Sequence, residues 1–460
     1  MVAKRTLIFF LGMISFLLSA CDNKDDNFDE PAQEQYDVVP SDIDDNLYRF
    51  GVNTNPYEFF KVKETPVPTG YTPFYISCYL RHGARGNLEV DYGLVSESFK
   101  KAHELGVLSE EGERAYRQVE KILVLDNGKD GNLTQLGAQE HRQIANRMYH
   151  KYKEMLLNGS RHIRAVSSTS QRCQNSMNAF TTELLSLDAK LDVSMDTGDQ
   201  YMTYLTSGAP KDVREKVLNI YNDYKSSIKL DTMSFAQRFF SDVVIGRKVV
   251  GSIEKFMSET MDLAAISGAY GLDETLINLY SVEDLKHYTH SLSLYIYLSS
   301  CNSKEFGDRR MVRPQISALV KDFIEKADSA VFYGNCVADL RFGHDSHLLA
   351  FCSKIGVKGI GERLTKDEAV NWPGWLFSPF SANFYMVFYR NRGGHILVKC
   401  FINERETMLL GVPGGPYYAW EDLKDYLYSN STITKTRGNI ISDISTTPDI
   451  VIPRYCNEFK

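Results

Sequence analysis

The stretch YTPFYISCYLRHGARG, residues 71–86, decides how this chain of 460 residues folds. Its part from Phe74 to Leu80 is apolar, aromatic and β-branched, which predicts a buried strand. The strand ends in Arg81-His82-Gly83-Ala84-Arg85, and two guanidiniums with an imidazole cannot lie unpaired in a core. They must face a cleft, which in open α/β sheets lies beyond the carboxyl ends of the strands. This predicts an anion pocket that contains His82; the alternative is a surface turn with solvated charges.

Two later stretches repeat this order of a strand, polar residues and a helix. HIRAVS, residues 162–167, predicts a second strand, and the helix that begins around Gln171 has Arg172 in its first turn. Residues 337–342 predict a third strand, which ends in His344 and Asp345 before another helix. A helix N-terminus attracts anions, which favours anion binding by Arg172 over an exposed first-turn arginine. If the three strands are neighbours, their ends converge.

Side chains that converge in this way would support the transfer of a phosphoryl group. The guanidiniums of Arg81, Arg85 and Arg172 suit the oxygens of a phosphate because each can bind bidentately. The neutral imidazole of His82 is a competent nucleophile, and the carboxylic acid of Asp345 can protonate a leaving alkoxide. The arginines supply the positive charge that a metal would otherwise bring, so the sequence predicts no metal and no other cofactor.

The remaining sequence predicts a long helix, an inserted helical segment and a late hairpin. Leu133-Thr134-Gln135-Leu136-Gly137 opens the long helix, with Thr134 as its N-cap. From Met202 to about Ser300 helical periodicity dominates without a convincing strand, which predicts an inserted helical cap. Strand patterns return at Ser329–Tyr333 and, as a hairpin, at residues 380–389 and 395–402.

Residues 1–20 carry the features of a targeting segment. Lys4 and Arg5 precede an apolar run from Leu7 to Leu18 that is too short for a typical membrane span. Leu18-Ser19-Ala20-Cys21 resembles a bacterial lipobox, which implies cleavage before Cys21 and lipidation of its sulfur; the alternative is an ordinary signal peptide. The acidic stretch that follows predicts a disordered tether. We expect a protein that is exported and lipid-anchored to the bacterial outer membrane, facing either the periplasm or the cell surface.

The net charge and the spacing of the cysteines argue against some kinds of partner and site. The net charge of −7 argues against nucleic-acid binding and requires any anion site to be a local basic pocket. The eight cysteines, including Cys21, contain no C-x-x-C pair, which argues against a zinc or thioredoxin-like site. Export permits disulfides, whose pairing stays open. Cys78 and Cys173 lie close to the charged motifs and are expected to pack as small buried apolar side chains.

The ordered set of motifs resembles the histidine acid phosphatases, the clade-two branch of the histidine phosphatase superfamily. That branch carries Arg-His-Gly-x-Arg, here residues 81–85, and Leu-Thr-x-x-Gly, here residues 133–137. The branch also carries an arginine after a second strand, here Arg172, and a late His-Asp pair, here His344-Asp345. The order and spacing of these motifs match across about residues 70–420 of this chain. SSTSQRCQNSMNAF, LRFGHDSHLL and PFSANFYMVFYR are most similar to multiple inositol polyphosphate phosphatases and related bacterial phytase-like lipoproteins.

Two positions depart from the pattern of these relatives. Asn87 stands where proline usually follows the first motif, which is expected to loosen the loop. The inositol polyphosphate phosphatases typically carry His-Ala-Glu at the late motif, whereas this chain has His344-Asp345-Ser346, closer to other phytases and acid phosphatases. The second departure leaves the subfamily, and therefore the substrate, open.

The resemblance implies a role for each residue of the site. His82 would attack phosphorus and form a phosphohistidine, and Asp345 would donate a proton to the leaving group and then help to activate water. The phosphoryl oxygens would be held by Arg81, Arg85, Arg172 and His344. The arginines would keep His82 neutral by lowering its pKa, whereas Asp345 must be protonated to act as the acid, so activity is expected on the acid side of neutrality.

The resemblance also implies a fold and a division of the chain. The expected fold is α/β: a three-layer α/β/α core with a mixed, mainly parallel sheet and an inserted helical cap, as in phosphoglycerate-mutase-like proteins. The expected segments are a signal peptide at 1–20, a tether at 21–45, the core at 46–190 and 311–460, and the cap at 191–310.

The function implied is that of an exported phosphatase that acts on a small-molecule phosphomonoester. Inositol polyphosphates such as phytate are the first candidate substrates. A general acid phosphatase, a bisphosphoglycerate phosphatase and a clade-one phosphatase or mutase are the alternative enzymes. The alternative that is not an enzyme is a surface lipoprotein that binds phosphorylated ligands without turnover. The attacked position and the oligomeric state stay open.

Overall fold

The structure, a computed structural model, describes residues 36–40, 43, 49–86, 92–126, 131–206, 208–272, 275–307, 313 and 315–430. The expected signal peptide at 1–20, the expected lipidation site Cys21 and the unusual Asn87 lie outside these residues, as does most of the expected tether. In the described part of the chain, no helix has the length and apolar character needed to cross a membrane.

The described strands form a single sheet at the centre of the molecule. In chain order the strands are β1 (Tyr71–Arg81), β2 (His162–Ser167), β3 (Asp192–Thr197), β4 (Ala338–Gly343), β5 (Asn383–Asn391), β6 (Ile396–Ile402), β7 (Arg405–Thr407) and β8 (Tyr418–Ala419). Their order across the sheet is β3-β2-β4-β1-β5-β6-β7, with β8 paired to β6. β3, β2, β4 and β1 run parallel, and the remaining pairs are antiparallel. The carboxyl ends of β2, β4 and β1 therefore meet at one edge.

Some helices connect these strands, and others belong to the helical cap. They are α1 (Tyr92–Glu104), α2 (Glu110–Asp126), α3 (Gln135–Asn158), α4 (Gln171–Leu187), α5 (Asp199–Leu205), α6 (Lys211–Ser227), α7 (Thr232–Phe239), α8 (Val243–Val250), α9 (Ile253–Ser267), α10 (Val282–Ser300), α11 (Ile316–Tyr333), α12 (Asp345–Ile355), α13 (Lys366–Ala369), α14 (Gly374–Phe377) and α15 (Trp420–Asn430).

β1 separates the two apolar layers of the core, because alternate side chains of a strand point to opposite faces of the sheet. Ile76 and Leu80 pack with buried residues of α3 and α4 in one cluster. Tyr75 and Tyr79 pack with buried residues of α11 and α12 in another. Burial of each apolar side chain contributes roughly 1.5–3 kcal/mol. Helices thus cover both faces of the sheet, and the predicted α/β class with a mixed sheet is confirmed.

The predicted strand at Ser329–Tyr333 is wrong, because these residues form the last turns of α11. The buried residues of α11 include Phe323, Ala327 and Ala330, which follow one another at helical spacing. The short apolar run that ends in Tyr333 continues this helix, and periodicity alone cannot distinguish such a run from a buried strand.

The helical cap does not coincide with residues 191–310, the segment that the sequence analysis assigns to it. Asp192–Thr197, within the range assigned to the cap, is the edge strand β3, and its mostly exposed residues gave no strand pattern. Conversely, α1 and α2 lie in the range assigned to the core but pack against the cap. Phe99 of α1 contacts the rings of Phe239 and Phe256, at centroid distances of 4.9 and 5.2 Å. The cap core is therefore built from two separate parts of the chain.

The cysteines near the motifs are buried, as expected. Cys78 and Cys173 have no solvent exposure, and neither is in a disulfide. Burial raises the pKa of the Cys173 thiol to about 11, so this side chain is uncharged at neutral pH.

Candidate active site

The register of the parallel strands brings the three sequence motifs together. Arg81 at the end of β1 lies beside Gly343 at the end of β4, and Ser167 at the end of β2 lies beside Phe342. The loops that follow these strand ends therefore share one edge of the sheet. The structure brings together all six predicted residues of the site: Arg81, His82, Arg85, Arg172, His344 and Asp345.

His82 is held in one orientation and in one protonation state. Its backbone N–H donates to the carbonyl oxygen of Gly343 at 2.9 Å, which fixes the loop on β4. Its Nδ1 lies 2.9 Å from the carbonyl oxygen of Gly83. A carbonyl oxygen can only accept, so Nδ1 carries the hydrogen and Nε2 carries the lone pair. The imidazole of His82 is therefore oriented as a neutral nucleophile.

The electrostatic surroundings reinforce this state of His82. Burial lowers the pKa of the imidazole well below its usual value, and the positive charge of Arg81 lowers it further. His344, whose ring centroid lies 5.6 Å away, and Arg172 act in the same direction. His82 accordingly stays unprotonated at pH values where an ordinary histidine is charged.

Arg81 is a buried guanidinium with fixed protein partners. Its Nη1 donates to the carbonyl oxygens of Asn53 at 2.7 Å and Ser378 at 2.8 Å. Its Nη2 lies 3.2 Å from Oδ2 of Asp345, and its guanidinium lies over the ring of Phe380. A cation with this many partners is held in place before any ligand arrives.

Asp345 is the first residue of α12 and the only predicted acid of the site. Its Oδ2 accepts a hydrogen bond from Nδ2 of Asn53 at 2.9 Å, and its Oδ1 accepts one from the N–H of Ser346 at 2.7 Å. Burial raises the pKa of this carboxyl, but Arg81 and these two hydrogen bonds lower it more. The net pKa lies well below the usual range, so Asp345 is ionised in the protein without ligand.

His344 lies opposite His82 and is also neutral. Its Nε2 is 3.3 Å from the hydroxyl oxygen of Ser168, and its backbone N–H donates to the hydroxyl of Tyr79 at 3.1 Å. Burial and the charge of Arg172 lower the pKa of His344 to about 4, although the negative charge of Asp345 opposes the shift. A neutral imidazole in this position can donate or accept a hydrogen bond.

The remaining arginines contribute charge from two further segments. Arg172 lies in the first turn of α4, whose N-terminus faces the same edge of the sheet as the N-terminus of α12. Arg85 is largely buried, and its charge lowers the pKa of His344. Guanidiniums and helix N-termini both favour an anion, so the site as a whole is built for an oxyanion.

Two glycines explain why the first two motifs occur together. A Cβ on Gly83 would lie 2.7 Å from Cα of Gly137, and a Cβ on Gly137 would lie 2.6 Å from the backbone N of Ala84. Neither position has room for a side chain. Thr134 joins the same contact: its N–H donates to the carbonyl oxygen of Ala84 at 2.9 Å, and its Oγ1 caps α3 as predicted by accepting from Gly137 at 3.2 Å. The start of α3 is thus the support on which the His82 loop rests.

Replacing Gly137 by alanine is expected to destabilise the protein and to displace this loop. The new methyl group would overlap the backbone of Ala84, and overpacking of this kind costs about 1–3 kcal/mol. Urea unfolding should show the loss of stability. Gly393→Ala is the control, because the nearest neighbours of its added Cβ are at ordinary contact distance. Equal stability of both variants would contradict the proposed contact.

Sequence reasoning missed three residues that support the site. Glu140, fully buried in α3, accepts hydrogen bonds from the N–H of Ala84 at 2.9 Å and from the hydroxyl of Ser381 at 2.8 Å. The Nε2 of His141 donates to the carbonyl oxygen of Arg81 at 3.1 Å. Both follow the Leu-Thr-x-x-Gly motif by one turn, and their polarity on a buried helix face was the available signal. Asn53 had no such signal, because its contact with Asp345 depends entirely on the fold.

The basic residues of the cap do not gather at Asp345 as a group. Lys225 and Lys229 line a different cavity, together with His287. Arg238 donates to the carbonyl oxygen of Tyr280 at 2.6 Å, and Lys248 is exposed on α8. None of these four residues lines the cavity that includes Asp345.

Comparison with solved structures identifies proteins of the same fold. Multiple inositol polyphosphate phosphatase from Bifidobacterium longum in complex with phosphate matches with a TM-score of 0.69 and 17% identity, over 83% of this chain and 98% of that chain. Its complex with inositol hexasulfate has a TM-score of 0.65, again at 17% identity and over 83% and 98% of the two chains. The phytase from D. castellii matches with a TM-score of 0.61 and 16% identity, over 84% of this chain and 85% of that chain.

The similarity is one of structure. No family model matches the sequence, and a search of curated proteins returns no match. The resemblance drawn from the motifs is therefore confirmed at the level of the fold, and the activity is argued below from the side chains themselves.

Proposed function

We propose that this chain is a phosphatase of the histidine acid phosphatase type, which hydrolyses phosphomonoesters through a phosphohistidine at His82. The observation that carries the proposal is the hydrogen bond from Nδ1 of His82 to the carbonyl of Gly83, which leaves the lone pair on Nε2 of an imidazole that lies near the charges of Arg81 and Arg172. The structural neighbours that share the fold are phosphatases and phytases, which supports the same reaction class.

In the first step, the lone pair on Nε2 of His82 forms a bond to phosphorus while the ester P–O bond breaks. The electron pair of that bond goes to the leaving oxygen, which takes a proton from Asp345. The arginines stabilise the charge on the phosphoryl oxygens, and this stabilisation is strong because the site is largely buried. Nε of Arg81 and Nε of Arg172 have no hydrogen-bond partner among the described residues, so both donors are available to a bound phosphoryl group.

In the second step, water attacks the phosphohistidine. Asp345, now a carboxylate, accepts a proton from the water as its oxygen bonds to phosphorus. The N–P bond breaks, its electron pair returns to Nε2, and His82 is again neutral when phosphate leaves. The hydrogen bond to Gly83 persists through both steps and holds the imidazole in the same orientation.

The low pKa of Asp345 raises the question of where its proton comes from. Without ligand, Arg81 and Asn53 keep the carboxylate ionised. A phosphate monoester has its second pKa near about 6, so below this value the substrate arrives as a monoanion that carries one proton. We infer that this proton passes to Asp345 in the complex, where the substrate's charge offsets that of Arg81. The reaction would then need substrate in its more acidic form.

Phosphate release by the purified protein is therefore expected to be fastest below about pH 6, the second pKa of a phosphate monoester. His82 must be neutral, and its lowered pKa keeps it so in this range. As the pH rises, the fraction of substrate monoanion falls and Asp345 loses its source of a proton. The measurement is kcat/KM for phytate and for 4-nitrophenyl phosphate across the pH range. An alkaline optimum, or no release from either ester, would contradict the proposed function.

The finer assignments are also proposals. Inositol polyphosphates such as phytate are the proposed substrates, supported by the neighbour whose structure contains inositol hexasulfate. A general acid phosphatase is the second candidate, because His344-Asp345 differs from the His-Ala-Glu typical of the inositol polyphosphate phosphatases. We also propose export and lipid anchoring at Cys21, on the sequence motif alone; fractionation of cells that produce the full chain tests this.

A further inference from the structure

Asn53 contacts both the acid of the site and the arginine that neutralises it. It lies in a short 3₁₀ helix, Val52–Thr54, in the segment before β1. Its Nδ2 donates to Oδ2 of Asp345 at 2.9 Å, and its carbonyl oxygen accepts from Nη1 of Arg81 at 2.7 Å. Nη2 of Arg81 lies 3.2 Å from the same Oδ2. The position of Asn53 therefore fixes the Asp345 carboxyl and the Arg81 guanidinium relative to each other.

The backbone beside Asn53 is held in a strained conformation by both the cap and the core. Val52 is fully buried and has a φ of 51°, which a β-branched residue rarely adopts. On the core side, a Cβ added to Gly374 of α14 would lie 2.8 Å from Cγ1 of Val52. On the cap side, Oγ1 of Thr54 donates to the carbonyl oxygen of Ala265 in α9 at 3.0 Å. Strain of this kind persists only where the surroundings impose it, and it concentrates at functional sites.

The amide of Asn53 favours one protonation state of Asp345. A carboxylate oxygen can only accept, so the amide presents its NH₂ group to it, and a hydrogen bond of this kind stabilises the charged form. Burial raises the pKa of Asp345, whereas Arg81 and then Asn53 lower it. Asn53 is uncharged, so its contribution can be removed by mutation without changing the net charge of the site.

The other titratable groups near Asp345 come from several segments. They are Arg81 and Tyr79 of β1, Cys173 of α4, Arg313 before α11 and the neighbouring His344. Burial raises the pKa values of Tyr79 and Cys173, so both stay uncharged in acid, while the arginines stay charged. Burial, with the charge of Arg172, lowers the pKa of His344 to about 4. A substitution at Asn53 leaves all of these groups in place, so a change in the titration of Asp345 would report the Asn53 donor.

We infer that Asn53 is the positioning residue of Asp345, and that its amide keeps this carboxyl deprotonated for the attack of water on the phosphohistidine. The inference rests on the proposed hydrolysis at His82. In the second step Asp345 accepts a proton from the water, which a protonated carboxyl cannot do. Without the Asn53 donor, Asp345 would become protonated at a higher pH, and hydrolysis of the phosphohistidine would slow on the acid side. Asn53 thus acts through Asp345 and sets how far into acid the second step continues.

The test follows the second step directly. The protein is labelled with ³²P-4-nitrophenyl phosphate, mixed rapidly into buffers across the acid range and quenched in alkali, and the decay of the label on the protein gives the rate at each pH. The midpoint at which this rate falls in acid is expected to rise by roughly one to two pH units in Asn53→Ala, which loses the donor. Asn53→Asp keeps the shape of the side chain but adds a negative charge, so its midpoint should rise further. Asn222→Ala, at an exposed position on α6, is the matched control and should keep the wild-type midpoint.

The possible results separate the inference from the proposed function. If the wild-type protein takes up label and the midpoint is the same in every variant, the inference is overturned and the proposed function stands. Slower decay by the same factor at every pH in both Asn53 variants would also overturn it, because that result indicates a purely structural role. If the wild-type protein takes up no label and releases no phosphate, the proposed function fails and the inference fails with it. Asn53→Asp has nearly the shape of the wild-type side chain, so it keeps the test decisive even if Asn53→Ala does not fold.

Discussion

Replacing His82 by alanine is expected to abolish phosphate release from every phosphomonoester, whatever its leaving group. The variant loses the atom that bonds to phosphorus, and no other imidazole can replace it: His344 lies across the site, with its Nε2 3.3 Å from the hydroxyl of Ser168. Removal of a nucleophile from a multi-residue site costs on the order of 10⁴-fold or more in rate. Binding of inorganic phosphate should persist, because the arginines remain.

The measurement that distinguishes a nucleophile from a binding residue is the covalent intermediate. Wild-type protein mixed with ³²P-labelled substrate and quenched in alkali should carry label on one histidine, and the His82→Ala variant should carry none. His395→Ala is the matched control, because this histidine is exposed in the hairpin between β5 and β6 and should be dispensable. Substantial activity in the His82→Ala variant, or unlabelled wild-type protein during turnover, would refute the phosphohistidine.

The sequence could predict the edge of the sheet because each strand there ends in residues that cannot be buried alone. Apolar β1 must be internal, and Arg81 with His82 at its end must face an anion or solvent. The same argument applies to Arg172, which follows β2, and to His344 and Asp345, which follow β4. The carboxyl ends of neighbouring parallel strands share one edge of the sheet, so three local sequence patterns predicted a single site. The register of β1, β4 and β2 shows that these strand ends are adjacent.

Other features could not be predicted, because they depend on contacts between distant segments. Asn53 lies in a short 3₁₀ helix, Val52–Thr54, and its hydrogen bond to Asp345 spans 292 residues of sequence. Strand β3 was missed because its residues are mostly exposed at the sheet edge and lack an apolar pattern. α1 and α2 follow the first motif directly, yet they complete the cap core through aromatic contacts such as Phe99 with Phe239. Their amphipathic patterns did not specify which apolar surface they cover.

Asp345→Asn is expected to slow the hydrolysis of alkyl phosphates far more than that of aryl phosphates. An alkoxide leaves poorly without a proton, and general acid catalysis of this kind contributes about 10²- to 10⁴-fold. 4-Nitrophenolate leaves without protonation, so its ester should lose much less. Asparagine has nearly the shape of aspartate, and the donors from Asn53 and Arg81 around this position make some rearrangement of the amide necessary.

The comparison must use kcat/KM, because this constant reports the first irreversible step, in which the ester bond breaks. Loss of the carboxylate also slows attack by water in the second step, and that loss would appear in kcat for both substrates alike. Asp367→Asn, an exposed aspartate in α13, is the matched control and should change neither constant. A large gap between 2-glycerophosphate and 4-nitrophenyl phosphate in kcat/KM would identify Asp345 as the acid. Equal losses on the two esters would remove that role and leave Asp345 as the carboxylate that orients Arg81.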